Sequence, residues 1–252
     1  GASIDLRAQE WEFDATLDAG VIYTDNIRLE PEGEEEDDIV YAIFPVLMLS
    51  KDGDRLEANI AYRPEALFYR DTPEADNVYH SGNANMTYTL VRDALFFDAA
   101  ATRYQTILSP ESTVPTDNLP VSNNRADSST IELRPYWEQS LGFAEVLTEL
   151  QYTTISYHNV DEEVDDSLAV DNEQVGARFY LNNHEQGDGV AWGLEYWRRR
   201  VEYDNEEVLP WEFQRAGADL GYWVTSSMRL FVSGGVETPF DSLDDPSMDE
   251  DF

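Results

Sequence analysis

Trp11-Glu-Phe-Asp-Ala-Thr-Leu-Asp-Ala-Gly-Val-Ile-Tyr-Thr24 decides the fold. Trp11, Phe13, Ala15, Leu17, Ala19, Val21 and Tyr23 alternate with Glu12, Asp14, Thr16, Asp18 and Thr24. A period of two is the pattern of a pleated strand with one apolar and one wet face. Ten further segments read as strands, at about 39–50, which is apolar on both faces, and at 55–69, 79–90, 94–107, 129–140, 145–158, 173–181, 190–203, 211–224 and 228–237. The connections alternate. Lys51-Asp-Gly-Asp54, Val91-Arg-Asp93, 141–144, 182–189 and Thr225-Ser-Ser227 are turns, and Asp52-Gly53 is a strong hairpin signal. The segments 25–38, 70–78, 108–128, 159–172, 204–210 and 238–252 are longer and polar.

Short turns at one end and long loops at the other are the rhythm of outer-membrane barrels. Strands of 12–14 residues reach about 40 Å at ~3.3 Å per residue. Tilted by ~40°, they rise roughly 30 Å, enough to cross a bilayer. The expected fold is therefore all-β: an antiparallel up-and-down transmembrane β-barrel in the bacterial outer membrane, with 11 strands. Residues 1–10 read as an N-terminal periplasmic extension and 11–252 as the barrel domain. An odd strand count and an end inside a long loop predict the front part of a larger, even-stranded barrel, incomplete at its C-terminal end. Pro45, Pro64 and Pro135 fall inside strand patterns, where each removes a ladder donor and predicts a bulge or local break. Trp11, Trp137, Trp192, Trp211 and Trp223 are candidates for interfacial aromatic girdles.

Composition narrows the function. The formal charge is -36, from 16 basic and 52 acidic residues, which repels nucleic acid and attracts cations. The six long segments hold 29 of the acids but only Arg28, Arg70 and Arg125 among the bases, so one rim is strongly negative. With no cysteine, disulfides and thiolate metal sites are excluded. No run approaches the ~20 apolar residues of a spanning helix, an absence that does not argue against a strand-built membrane protein.

The faces opposite the apolar stripes carry charges of both signs. Arg63, Glu65, Arg103, Glu132, Arg134, Glu149, Arg178, Glu195, Arg199, Arg215 and Asp219 are expected to face the lumen. There they either set ion selectivity or merely fill the interior as compensating pairs. Two acidic runs are candidate calcium ligands, Glu34, Glu35, Glu36, Asp37 and Asp38 in one and Asp161, Glu162, Glu163, Asp165 and Asp166 in the other. Neither has EF-hand spacing, and a solvated acidic loop is the plainer reading. No other cofactor is indicated. His80, His158 and His184 are scattered, and no metalloprotease, nucleophile-elbow or phosphate-loop motif occurs, so an enzyme is not expected.

Tyr23-Thr-Asp-Asn-Ile-Arg-Leu-Glu-Pro31, Asp38-Ile-Val-Tyr-Ala-Ile-Phe-Pro-Val-Leu-Met-Leu49, the Asp52-Gly53 hairpin, Ala61-Tyr-Arg-Pro-Glu65 with Phe68-Tyr69, and Leu90-Val-Arg-Asp-Ala-Leu-Phe-Phe-Asp-Ala99 together resemble one group of proteins. These are the outer-membrane β-barrels associated with the PEP-CTERM and exopolysaccharide system. The likeness covers mainly the first 110 residues. In that family the chain continues beyond an Asp-Phe like Asp251-Phe252. The resemblance implies an outer-membrane barrel linked to cell-surface polymer, and it supplies no catalytic residues. The leading expectation is a passive channel or export pore linked to surface polysaccharide. The alternatives are a plugged structural barrel, or sheath, for a periplasmic or surface protein, and a soluble carbohydrate-binding β-protein. In the last of these the apolar stripes would meet one another in a core.

Overall fold

The computed structural model describes residues 11–108, 118–119, 125–159, 169–183, 190–205, 208–225 and 228–241. The expected N-terminal extension, 1–10, and the segment 242–252 lie outside them. Eleven strands are present: β1 (Glu12–Thr24), β2 (Asp38–Lys51), β3 (Leu56–Tyr69), β4 (Asn77–Val91), β5 (Leu95–Ile107), β6 (Arg125–Ser140), β7 (Glu145–His158), β8 (Asn172–Asn182), β9 (Val190–Tyr203), β10 (Trp211–Thr225) and β11 (Met228–Asp241). One 3-10 turn, Pro73–Ala75, interrupts the connection between β3 and β4. The strands form a single sheet in chain order, β1 through β11. This is an antiparallel up-and-down meander, as the alternation predicts.

Two strands outrun the sequence pattern by four residues: β6 begins at Arg125 rather than 129, and β11 runs to Asp241 rather than 237. Arg125-Ala-Asp-Ser128 has the composition of a loop, since Asp and Ser are poor strand formers. Tertiary hydrogen bonds to Asp127 hold it extended instead.

The chain divides into two compact units, one of residues 1–88, 99–131 and 155–170, the other of 89–98, 132–154 and 171–252. In the first, β1 pairs with β2 without interruption from Glu12↔Ser50 to Thr24↔Asp38. The β2–β3 ladder runs from Val40↔Tyr69 to Ile43↔Ala66, then resumes at Leu47↔Tyr62. The register is the same on both sides of the gap, which places Pro45 and Pro64 opposite each other within it. The expected disturbance is thus a break without a bulge, shared by two prolines that lack a donor. Pro135 sits inside β6, whose strand assignment is continuous.

Register also fixes the faces. Even positions of β1 and β2 share a side with odd positions of β3, and the buried core lies there: Ile27, Val40, Ala42, Leu67 and Tyr69, with Ile22, Phe44, Ala75, Tyr79 and Leu119 packed against them. This is the side opposite the apolar stripes, at the long-connection end. The β1–β2 loop reaches it as a folded unit. Asn26 brackets the loop through Nδ2 to the Glu30 carbonyl (2.7 Å) and Oδ1 from the Glu30 N–H (2.8 Å). The Ile27 N–H donates to the Glu36 carbonyl at 2.8 Å.

The stripes themselves are uncovered. Phe13 is 68% exposed, and on interior strands Leu194 is 47% and Leu220 49% exposed. Two-layer soluble sheets bury such a stripe against a second layer. Here no second layer covers it among the described residues.

Asp38, buried at the start of β2, clasps the β3–β4 connection. Its Oδ1 accepts from the N–H groups of Arg70 (3.1 Å) and Asp71 (3.0 Å), and its Oδ2 from the Thr72 N–H (3.1 Å) and the Thr72 hydroxyl. Asp38→Asn turns one acceptor into a donor facing donors. It is expected to destabilise the fold by about 1–3 kcal/mol. The readouts are a lower unfolding temperature in detergent and faster tryptic cleavage after Arg70, with Thr72→Ser nearly unchanged.

Candidate functional site

The charged face is the candidate site. In the first unit it is knotted rather than open. Asp127, buried, accepts from Arg103 Nη2 (2.8 Å), Gln105 Nε2 (2.9 Å) and Asn159 Nδ2 (3.0 Å). Arg103 has the parity of Leu95, Phe97, Ala99 and Ala101, and it and Gln105 are half-buried while Thr102, Tyr104 and Ile107 are exposed. Arg103 and Gln105 turn to Asp127. Glu65 accepts from Asn118 Nδ2 at 2.7 Å, Asn118 Oδ1 accepts from Arg125 Nη1 at 3.1 Å, and the Tyr69 hydroxyl donates to the Leu119 carbonyl at 2.8 Å. Two residues of the longest connection are therefore pinned onto β3. The Arg63 side chain is exposed, and its carbonyl accepts from the Ser81 hydroxyl.

At the rim, Arg28 bonds Glu36 (3.0 Å) and reaches Glu74 (3.3 Å). The Glu36 hydrogen bond, with the surrounding carboxylates, raises its pKa above the ordinary arginine value. Of the first candidate calcium run, Glu36 is thus occupied, Glu35 accepts from the Gly33 N–H, and both Asp38 oxygens are taken by protein donors. Among the described residues no three acidic or histidine side chains converge as a metal requires. Glu34 and Asp37 therefore have no converging partners, and Asp161, Glu162, Glu163, Asp165 and Asp166 lie outside the described residues.

In the second unit the arginines sort into two kinds. Arg134 bonds Asp98 at 2.5 Å and lies 3.8 Å from Glu149, with Glu132 adding negative potential. Arg178 pairs with Glu195 at 3.1 Å. These follow the compensating-pair reading: charges on one face neutralise one another. Arg199, Arg215 and Arg229 form no ion pair among the described residues. Arg199 donates to the neutral Gln174 and lies 5.9 Å from the Trp197 ring centroid. Trp197 meets Phe213 edge to face at 4.9 Å. Arg215 stands opposite Trp197 on one side and Glu237 on the other. Arg229 lies 5.7 Å from the Trp223 ring and 5.5 Å from the Phe231 ring. Asp219 and the Tyr180 hydroxyl fill the space over Gly193, where a Cβ would come within 2.4 Å of the carboxylate.

Two girdle expectations are corrected. Trp137 and Trp192 keep the parity of the apolar stripes, and Trp11 packs under the Lys51 ammonium at 5.5 Å. Trp211 and Trp223 stand on the charged face. The Trp211 Nε1 donates to the Tyr203 hydroxyl at 3.2 Å, and Trp223 is registered with Arg229. Parity with Arg215 and Asp219 is the signal that places them there. The same parity finds Asp98, Trp197 and Phe213. Asp127 carried no such signal, because its segment lacks alternation.

No protein-family model and no curated protein matches the chain. Among solved structures it is similar to the crystal structure of Pseudomonas aeruginosa OccK2 (OpdF) in complex with glucuronate. The likeness covers 90% of each chain, with 8% sequence identity and a TM-score of 0.23. A superposition this loose says nothing of function.

Replacing Arg134 by Met leaves Asp98 and Glu149 without their cation. It is expected to destabilise the fold by about 1–3 kcal/mol. Glu149→Gln, which removes only the longer contact, should have the smaller effect. Urea midpoints in detergent give the order.

Proposed function

We propose that the chain is the strand meander of an outer-membrane barrel acting as a passive channel or export pore, with a cell-surface polysaccharide as its cargo. One observation supports this above the others: period-two apolar stripes stand uncovered on one side of an eleven-strand meander, while the other side carries arginines and carboxylates. Lipid is the medium in which such a surface is satisfied, and the antiparallel ladder meets the rule that every backbone polar group in hydrocarbon be bonded internally. A soluble carbohydrate-binding β-protein would need those stripes covered. Transport here is passive: the polar face sets charge preference, and the acidic connections raise the local cation concentration.

A plugged scaffold, presenting its connections to a protein or polymer partner, is the second reading. The core around Ile27 and the pinning of Asn118 and Leu119 to β3 favour it, because they place connection residues over the charged face of the first unit.

Purified protein is expected to need detergent for monodispersity, to shift on gels after heating, and to give stable, cation-favouring current steps in planar bilayers. A monodisperse protein without detergent overturns the membrane reading. Inserted but silent protein selects the scaffold.

A further inference from the structure

Aromatic rings on the wet face are unexplained by a lipid belt. Along the odd positions of β9, β10 and β11 the charged face carries Trp197 and Phe213 near the long-connection end, and Trp223 and Phe231 near the short-turn end. Each set has an arginine lying over it: Arg199 on Trp197, and Arg229 on Trp223 and Phe231. Phe213 and Trp223 are ten residues apart on one strand, about 33 Å at ~3.3 Å per residue. The strip between them is shallow, because Gly217 and Gly235 are paired across β10 and β11.

Local charge differs from that of the whole molecule. With even positions of β8 included, this face holds Arg178, Arg199, Arg215 and Arg229 against Glu195, Asp219, Glu237 and Asp241. It is thus balanced, in a chain whose net charge is -36. A general wet lining does not need flat apolar rings, and a stability role does not need arginines without carboxylates.

We propose that this strip is a binding lane for an acidic polysaccharide, a chain of carboxylate-bearing pyranose rings. The inference rests on the channel reading and names its substrate class. Aromatic faces stack on the apolar faces of sugar rings, as they do on other flat ligands. The guanidinium fork matches a carboxylate in two hydrogen bonds. A neutral glycan would use only the rings, and a simple anion only the arginines. The combination, repeated at two stations on neighbouring strands, selects a polymer that offers both.

The test uses the whole chain in detergent, titrated calorimetrically with an oligogalacturonate and with a maltooligosaccharide of equal length. The same ligands are added to single channels in planar bilayers. The acidic oligomer is expected to bind, more weakly at high salt, and to interrupt current, and the neutral one to do neither. Arg199→Gln and Arg229→Gln should each weaken binding about tenfold or more. The rim variant Arg28→Gln should leave it unchanged. Retained heat-shifted gel migration verifies that the variants fold, and Trp223→Phe, a milder change, should weaken both ligand binding and current block. Equal binding of the two oligosaccharides overturns the acidic assignment. Steady current with no uronate binding overturns the lane and leaves the channel standing. Uronate binding without current overturns the channel and leaves the lane.

Discussion

The antiparallel hydrogen-bond ladder is the constraint on which everything else here depends. Each strand residue carries a donor and an acceptor that must be paired away from water. Once the ladder's register is set, every second side chain is committed to one face. The uninterrupted pairing of β1 with β2, of β8 with β9, and of β9 with β10 therefore sorts the whole side-chain inventory. Leu194 and Leu220 go to one side, Arg199 and Asp219 to the other. A slip by one residue would exchange the two faces, carrying the arginines to the apolar side and the leucines to the charged one. No individual ion pair has comparable influence, because exposed pairs contribute little on their own.

The apolar core has a secondary role and an unusual place. It gathers not under the longest apolar stripes but at the long-connection end, on the charged side, where Ile27 and Leu119 arrive from loops. Asp38 performs the complementary task with polar atoms, collecting the backbone donors of a connection that has no ladder partner. Between them, these loop residues are held by burial and by hydrogen bonds. An acidic residue used in this way is spent as a structural acceptor, which is why acidic composition alone does not make a cation site.

Strand number, order and most boundaries were legible from alternation and turn chemistry, since both arise from local geometry. The charged face was legible for Glu132, Arg134, Arg178, Glu195, Arg199, Arg215 and Asp219, whose parity opposes clear apolar stripes. It was less so for Arg103, whose parity alone suggests the apolar side and whose direction is decided by Asp127. Asp127 itself looked like loop because nothing local makes Arg125–Ser128 extended. The tryptophans misled for a different reason. Their amphipathic rings suit a membrane boundary as well as a wet groove, and only register with Arg229 tells the two apart for Trp223. The pairing of Pro45 with Pro64 was invisible, since opposition across a ladder is a property of two segments at once.

That pairing gives the sheet an uneven mechanical grain. A strand joined to its neighbour along its full length peels under load like a single zipper. β2 and β3 are joined instead by two short zippers with an unbonded stretch between them. Tension applied to this hairpin would be borne in two instalments. A crack opening from either end would meet, at the prolines, a place where it advances without breaking a bond.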